Sequence, residues 1–242
     1  MKNILELKHI SKNFGTEKIL SEVSLSLEKG KTLSLLGSSG SGKTTLLKII
    51  AGLEKQDSGS IFLNETEISQ TKPQNRQCIY LYQEPLLFPH LNVFENIAFG
   101  LRIRKEKEEL IQQKVNEIVE LIDLTSHVNK MTHQLSGGQR QRISFARAII
   151  IKPKVLLLDE PFGALDTTTR EQMQKLFKKL SQTMQISSLF VTHDIKESII
   201  MGDSISKIEK GKLIQYEDKK DFFQDSASGV QNEINFWKQF NF

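Results

Sequence analysis

The sequence predicts an α/β fold with a parallel-sheet core, antiparallel strands at the N-terminus and a helical insertion. Three observations carry that reading. Apolar runs at 32–36, 155–158 and 188–192 have strand length and little polar alternation, the pattern of strands covered on both faces. A helical pattern at 170–184 separates the second run from the third, and strand, helix, strand in that order places both strands parallel in one sheet. Helical periodicity dominates residues 84–150, which sets them apart from the sheet-forming segments.

The elements follow in order. Residues 4–10 alternate, 14–17 read as a turn, and 23–27 alternate cleanly before Lys29-Gly30. Residues 32–36 form a buried strand ending at Gly37. A helix pattern over 44–53 is followed by the turn Asp57-Ser58-Gly59 and a short strand at 60–63. Within 106–124, Leu110, Ile111, Val115, Ile118, Val119 and Ile122 share one stripe with charges opposite. The charged run 102–109 reads as the solvated start of that helix. The C-terminal stretch carries Phe222, Phe223, Phe236, Trp237, Phe240 and Phe242, which read as a short helix packing on the core rather than a ligand site.

Composition excludes several classes. The 242 residues include one cysteine, Cys78, so no disulfide forms within the chain. No apolar run approaches the ~18 residues of a membrane span, and the first residues lack the apolar stretch of a signal peptide. The net charge of +4 is spread along the chain and leaves no nucleic-acid footprint, while remaining compatible with an anionic membrane surface. A cytoplasmic protein is the expectation.

Chemistry concentrates in three places. Gly37-Ser38-Ser39-Gly40-Ser41-Gly42-Lys43-Thr44, followed by Thr45, fits G-x-x-x-x-G-K-[ST] between a buried strand and a helix. Its glycines let the backbone wrap closely, and its N–H groups with the helix N-terminus hold polyanionic phosphate. Lys43 supplies charge to the terminal phosphates, and the Thr44 hydroxyl is placed for Mg²⁺. The strand at 155–158 ends in Asp159-Glu160: Asp159 suits the Mg²⁺-holding acid, while Glu160 points elsewhere and suits polarisation of an attacking water. Finally, Ser136-Gly137-Gly138-Gln139 opens a strong helix without a lysine, leaving an N-terminus open to an anion.

Together these motifs resemble an ABC-type ATPase, the nucleotide-binding subunit of an ABC transporter, with a P-loop NTPase (RecA-like) core. Residues 37–44 look like its Walker A loop, 155–159 its Walker B strand and 135–139 its signature. Gln83 resembles the Q-loop glutamine, Ala164-Leu165-Asp166 the D-loop, His193 the switch histidine, and Phe14 the aromatic that stacks on adenine. The resemblance covers about residues 3–215 and implies ATP and Mg²⁺ as ligands, with Gln83 joining Thr44 and Asp159 at the metal. It also implies a head-to-tail homodimer or paired subunit in which each signature loop completes the partner's site. Further implied partners are an integral membrane permease, met in part by residues 84–101, and a solute-binding protein. The chain would then lie on the inner face of the cell membrane.

The implied organisation is one ABC ATPase domain over 1–242. Residues 1–83 and 151–216 form the catalytic core with its β subdomain, 84–150 the helical subdomain and 217–242 a tail. The wording around 84–101 and 159–166 is most similar to importers of ferric iron, polyamines, sulfate, molybdate or sugars. Residues 217–242 are too few for the additional C-terminal β-domain those subunits often carry, which leaves the solute open. Exporter, lipoprotein-release and non-transport ABC ATPases are the alternative readings.

Overall fold

The computed structural model describes residues 2–239. Two long strands, β1 (Asn3–Phe14) and β2 (Glu17–Glu28), form an antiparallel hairpin around Gly15-Thr16. They precede β3 (Thr32–Leu36), α1 (Lys43–Ala51), β4 (Ser58–Leu63), β5 (Thr66–Glu67) and β6 (Cys78–Leu81). The helical stretch comprises α2 (Val93–Ile103), α3 (Glu108–Leu121) and α4 (Gly137–Ile149). Next come β7 (Val155–Asp159), α5 (Thr167–Met184), β8 (Ser188–Thr192), α6 (Ile195–Met201), β9 (Ser204–Glu209) and β10 (Lys212–Gln215). The short helices α7 (Lys219–Gln224) and α8 (Val230–Lys238) close the chain.

Two sheets result. The antiparallel sheet runs β2-β1-β4-β5, and the second runs β10-β9-β3-β8-β7-β6, parallel except for the edge pair β9–β10. Every residue of β3 and of β8 is buried, because both faces of the sheet are covered. The pleat sorts their neighbours. Val155, Leu157, Leu189 and Val191 pack with α1 and the antiparallel sheet, while Leu156, Leu158 and Phe190 pack with the helical side.

Local devices hold the elements that matter for the site. Arg76, almost fully buried, donates to Ile49 O at 2.6 Å and Ile50 O at 2.9 Å, closing the C-terminus of α1 with a cation. Arg102 joins α2 to α3: it donates to both carboxylate oxygens of Glu95 and of Glu108, at 2.6–3.1 Å. The charged run 102–109 is solvated as expected, with only Glu106 half-buried, but it is not one helix start. It spans the end of α2, a turn and the start of α3, and one residue in it clamps the two helices.

One stripe residue is also corrected. Ile111, Val115, Ile118, Val119 and Ile122 are buried, but Leu110 is 40% exposed. Leu110 and the exposed Leu121 lie on the same edge of α3, outside the arc that the neighbouring helices cover. At the C-terminus Phe222 is fully buried and meets Tyr216 edge-on, so this part of the chain packs on the core. The packing expected of Phe240 and Phe242 lies outside the described residues, and within α8 so do the side chains of Phe236 and Trp237.

Candidate functional site

The strand order decides what meets. In sequence, β3, β6, β7 and β8 are far apart; in the sheet they run β3-β8-β7-β6, all parallel. Their C-terminal ends therefore share one edge, where ligands bind in sheets of this kind. The loop 37–44 leaves β3, Gln83 follows β6, Asp159 and Glu160 end β7, and His193 follows β8. A cleft of about 550 Å³ opens there, lined among others by Ser39, Gly40, Lys43, Thr44, Thr45, Gln83, Asp159 and Glu160.

The loop is built for close approach. Gly42 has φ +102°, and a Cβ there would sit 2.8 Å from Leu20 Cδ2. At Gly37 a Cβ would meet Ile208 O at 2.5 Å. Only glycine fits either position. Gly42 is the N-cap of α1 and supplies no side-chain cap, so the first N–H groups of that helix face the cleft unbonded to any capping side chain. Ser41 Oγ is buried without a hydrogen-bond partner among the described residues. An oxyanion answers both features.

Lys43 is 5% exposed and donates to Gly37 O and Ser38 O, both at 2.8 Å, so its ammonium closes the loop on itself. Burial pushes its pKa down, opposed by the charges of Glu160 and Asp159. Thr44 Oγ1 donates to Asp159 Oδ1 at 3.1 Å, and Tyr80 Oη donates to Asp159 Oδ2 at 2.6 Å. Burial first, and that bond second, push the Tyr80 phenol well above its usual range, so it stays a donor. Glu160 adopts φ +44°, a left-handed turn right after the strand. One of its oxygens lies 2.9 Å from His193 Nδ1, the other 3.9 Å from Lys43 Nζ.

This donor set fits Mg²⁺. The Thr44 hydroxyl spends its proton on Asp159, which leaves its lone pairs for a cation beside the phosphate cradle. Among the described residues no group of three or more His, Cys, Asp or Glu could hold a metal by itself. Mg²⁺ asks for no such cage: it takes one or two protein oxygens, phosphate oxygens and water.

The remaining expected residues lie apart. Ser136 caps α4, accepting from Gln139 N at 3.2 Å while its own N donates to Gln139 Oε1 at 2.9 Å. Nothing stands within 4 Å of a Cβ built on Gly137, so this N-terminus is open. Gly138 faces Thr169, at the start of α5. Gly137 lines a second groove, with Gln83, Pro161 and Leu165, and not the phosphate cleft. Phe14 ends β1, 48% exposed, opposite Glu17; Lys12 Nζ sits over its ring at 4.9 Å. The cleft wall beside it is Glu17 and Ile19, which sequence reasoning missed. Behind His193, the buried Glu197 accepts from Thr192 Oγ1 at 2.5 Å and from Gln174 Nε2 at 3.1 Å. It ties the end of β8 to α5 and was likewise missed.

A phosphate cradle, an acid pair and a histidine share one strand edge, with a helical layer alongside, an arrangement suited to holding a nucleotide. The chain belongs to the ABC transporter family, whose pattern residues 20–163 match. It is 43% identical over 228 residues to the sulfate/thiosulfate import ATP-binding protein CysA of Bacillus cereus, covering 93% of this chain and 64% of that one. It is also 43% identical to the spermidine/putrescine import ATP-binding protein PotA of Haemophilus influenzae, covering 94% of this chain and 61% of that one. With a probable sulfate/thiosulfate import ATP-binding protein of Chlorella vulgaris it shares 46% identity, covering 86% and 89%. The chain thus spans less than two thirds of the length of the bacterial relatives named here. Among solved structures, CbiO1 of Clostridium perfringens, part of the ABC transporter complex CbiONQ, superposes with a TM-score of 0.85. The two share 26% identity, and the alignment covers 98% of this chain and 96% of that one. Among the described residues no helix is long and apolar enough to cross a membrane.

Proposed function

We propose that this chain is the ATP-hydrolysing subunit of an ABC transporter and energises solute import through a membrane permease. The observation that carries the reading is the convergence of Lys43, the Thr44–Asp159 pair and Glu160, itself bonded to His193, on one cleft, while the capped but open N-terminus at Ser136 lies outside it. A site with an acid, a base and a cradle but lacking that second N-terminus is completed by a second copy. Two chains placed head to tail bring residues 136–139 of each against the terminal phosphate in the other's cleft.

In this scheme the loop N–H groups and Lys43 hold the β- and γ-phosphates. Thr44 and Asp159 hold Mg²⁺, with Gln83 at the cleft edge; bound there, the ion neutralises phosphate charge. Glu160 takes a proton from the water that attacks the γ-phosphorus as the bond to ADP breaks. His193, fixed by Glu160, contacts the γ-phosphate. Phe14 offers the ring face that Lys12 does not cover to the base. Nucleotide binding closes the dimer, and hydrolysis with product release reopens it.

We read 1–83 and 151–216 as the catalytic core, 84–150 as the helical subdomain that meets the permease, and 217–242 as a tail. The site faces the interior of the cell, at the inner face of the membrane, and a solute-binding protein delivers the cargo. The Bacillus cereus and Haemophilus influenzae relatives are named for different solutes and match at equal identity, so the solute is not assigned. The test is co-purification with the permease followed by reconstitution. ATP-dependent uptake that Lys43→Ala abolishes supports the reading; permease-independent, uptake-free hydrolysis contradicts it.

A further inference from the structure

Asp159 is held from both sides. Thr44 Oγ1 donates to one oxygen at 3.1 Å and Tyr80 Oη to the other at 2.6 Å. One bond leaves a carboxylate able to turn about its Cβ–Cγ axis, whereas a second bond on the opposite oxygen removes that freedom. Tyr80 lies on β6 directly across from Leu157 of β7. The pleat therefore puts Tyr80, Leu157 and Asp159 on one face, the side of α1, and a phenol is long enough to reach along it to the strand end. The ring itself is fixed: it is half-buried and meets Tyr82 edge-on, with centroids 4.6 Å apart. A phenylalanine here would fill the same space and donate nothing.

We propose that Tyr80 is a positioning residue for the Mg²⁺–nucleotide site, holding the Asp159 carboxylate in the plane that presents Oδ1 to Thr44 and the phosphate cradle. The inference rests on the reading of Thr44 and Asp159 as the Mg²⁺ pair. Tyr80 touches neither phosphate nor metal in this role. Without its hydroxyl the carboxylate must be ordered by the incoming cation, and that ordering is subtracted from cation affinity. Partners behind metal-binding groups are worth about 10- to 100-fold in metal affinity.

The experiment compares wild type with Tyr80→Phe, titrating Mg²⁺ in the presence of a fluorescent, non-hydrolysable ATP analogue. Affinity for the analogue in EDTA should be unchanged. The Mg²⁺ concentration that gives half of the affinity gain should rise about 10-fold, the lower end of that range. In an Asp159→Asn background, Tyr80→Phe should have no further effect, because the bond it removes serves the carboxylate alone. Tyr80→Met, which removes the ring as well, should show the same Mg²⁺ shift. A wild-type Mg²⁺ curve for Tyr80→Phe overturns the proposal, as does an equal shift in the Asp159→Asn background or a Tyr80→Phe protein that does not fold. If wild-type affinity itself ignores Mg²⁺, the Thr44–Asp159 reading fails first, and the two failures are told apart.

Discussion

Glu160 and His193 are bonded to each other, Oε2 to Nδ1 at 2.9 Å, across the ends of two adjacent parallel strands. The left-handed turn at Glu160 makes this contact: its N donates to Val191 O at 3.1 Å while its side chain swings toward the cleft. The carboxylate thereby stands between His193 and Lys43, where an attacking water would lie.

Lys43→Ala should weaken nucleotide binding by about 10- to 100-fold, since hydrogen bonds to charged groups contribute ~1.5–3 kcal/mol and ~1.4 kcal/mol is tenfold. The free protein should lose little stability, because burial disfavours that ammonium. Fluorescent-nucleotide titration and thermal melting check both halves. Wild-type affinity with Mg²⁺ present would sink the assignment of the phosphate loop.

Ser136→Arg should leave the fold and nucleotide binding by one chain intact yet destroy ATPase activity. The residue is exposed and lies outside the phosphate cleft, so bulk and charge there matter only if a second chain's nucleotide meets this N-terminus. Steady-state phosphate release measures it, and normal turnover would contradict the composite site.

Glu197 gives a pH prediction. Burial raises its pKa, partly offset by the bonds from Thr192 and Gln174. The native state then keeps a proton that the unfolded chain releases. The stabilisation is full below the unfolded value near ~4.3 and is lost as pH rises through the higher folded value. Glu197→Gln removes that dependence, so its melting temperature relative to wild type should climb from about pH 4 upward. A difference independent of pH would contradict it.

Much of this was legible in local sequence. The runs 32–36 and 188–192 match β3 and β8, because strands covered on both faces must be apolar throughout. The strands β6, β9 and β10 were not read. Cys78-Ile79-Tyr80-Leu81 is a run of four, too short for periodicity to separate from a loop, and only its pairing with β7 makes it a strand. That missed strand hid Tyr80. Likewise the meeting of Gln83, Asp159 and His193 depends on a strand order that differs from chain order, and only the motif series suggested it. Glu17 and Ile19 carry no motif; they line the cleft because the β1–β2 hairpin folds over the loop, which no local pattern encodes.

The central claim is that Glu160 drives hydrolysis of an ATP that bridges two chains. The most direct measurement is the molecular mass of Glu160→Gln by size-exclusion chromatography with light scattering, in Mg²⁺-ATP and in Mg²⁺-ADP, alongside its turnover. The change is nearly isosteric, so packing and phosphate binding survive while the proton acceptor is lost. Turnover should fall by at least ~100-fold, the lower figure for general-base assistance. A dimer should accumulate in ATP and not in ADP, which lacks the bridging γ-phosphate. A Glu160→Gln protein that hydrolyses ATP at the wild-type rate and stays monomeric in ATP would contradict the account.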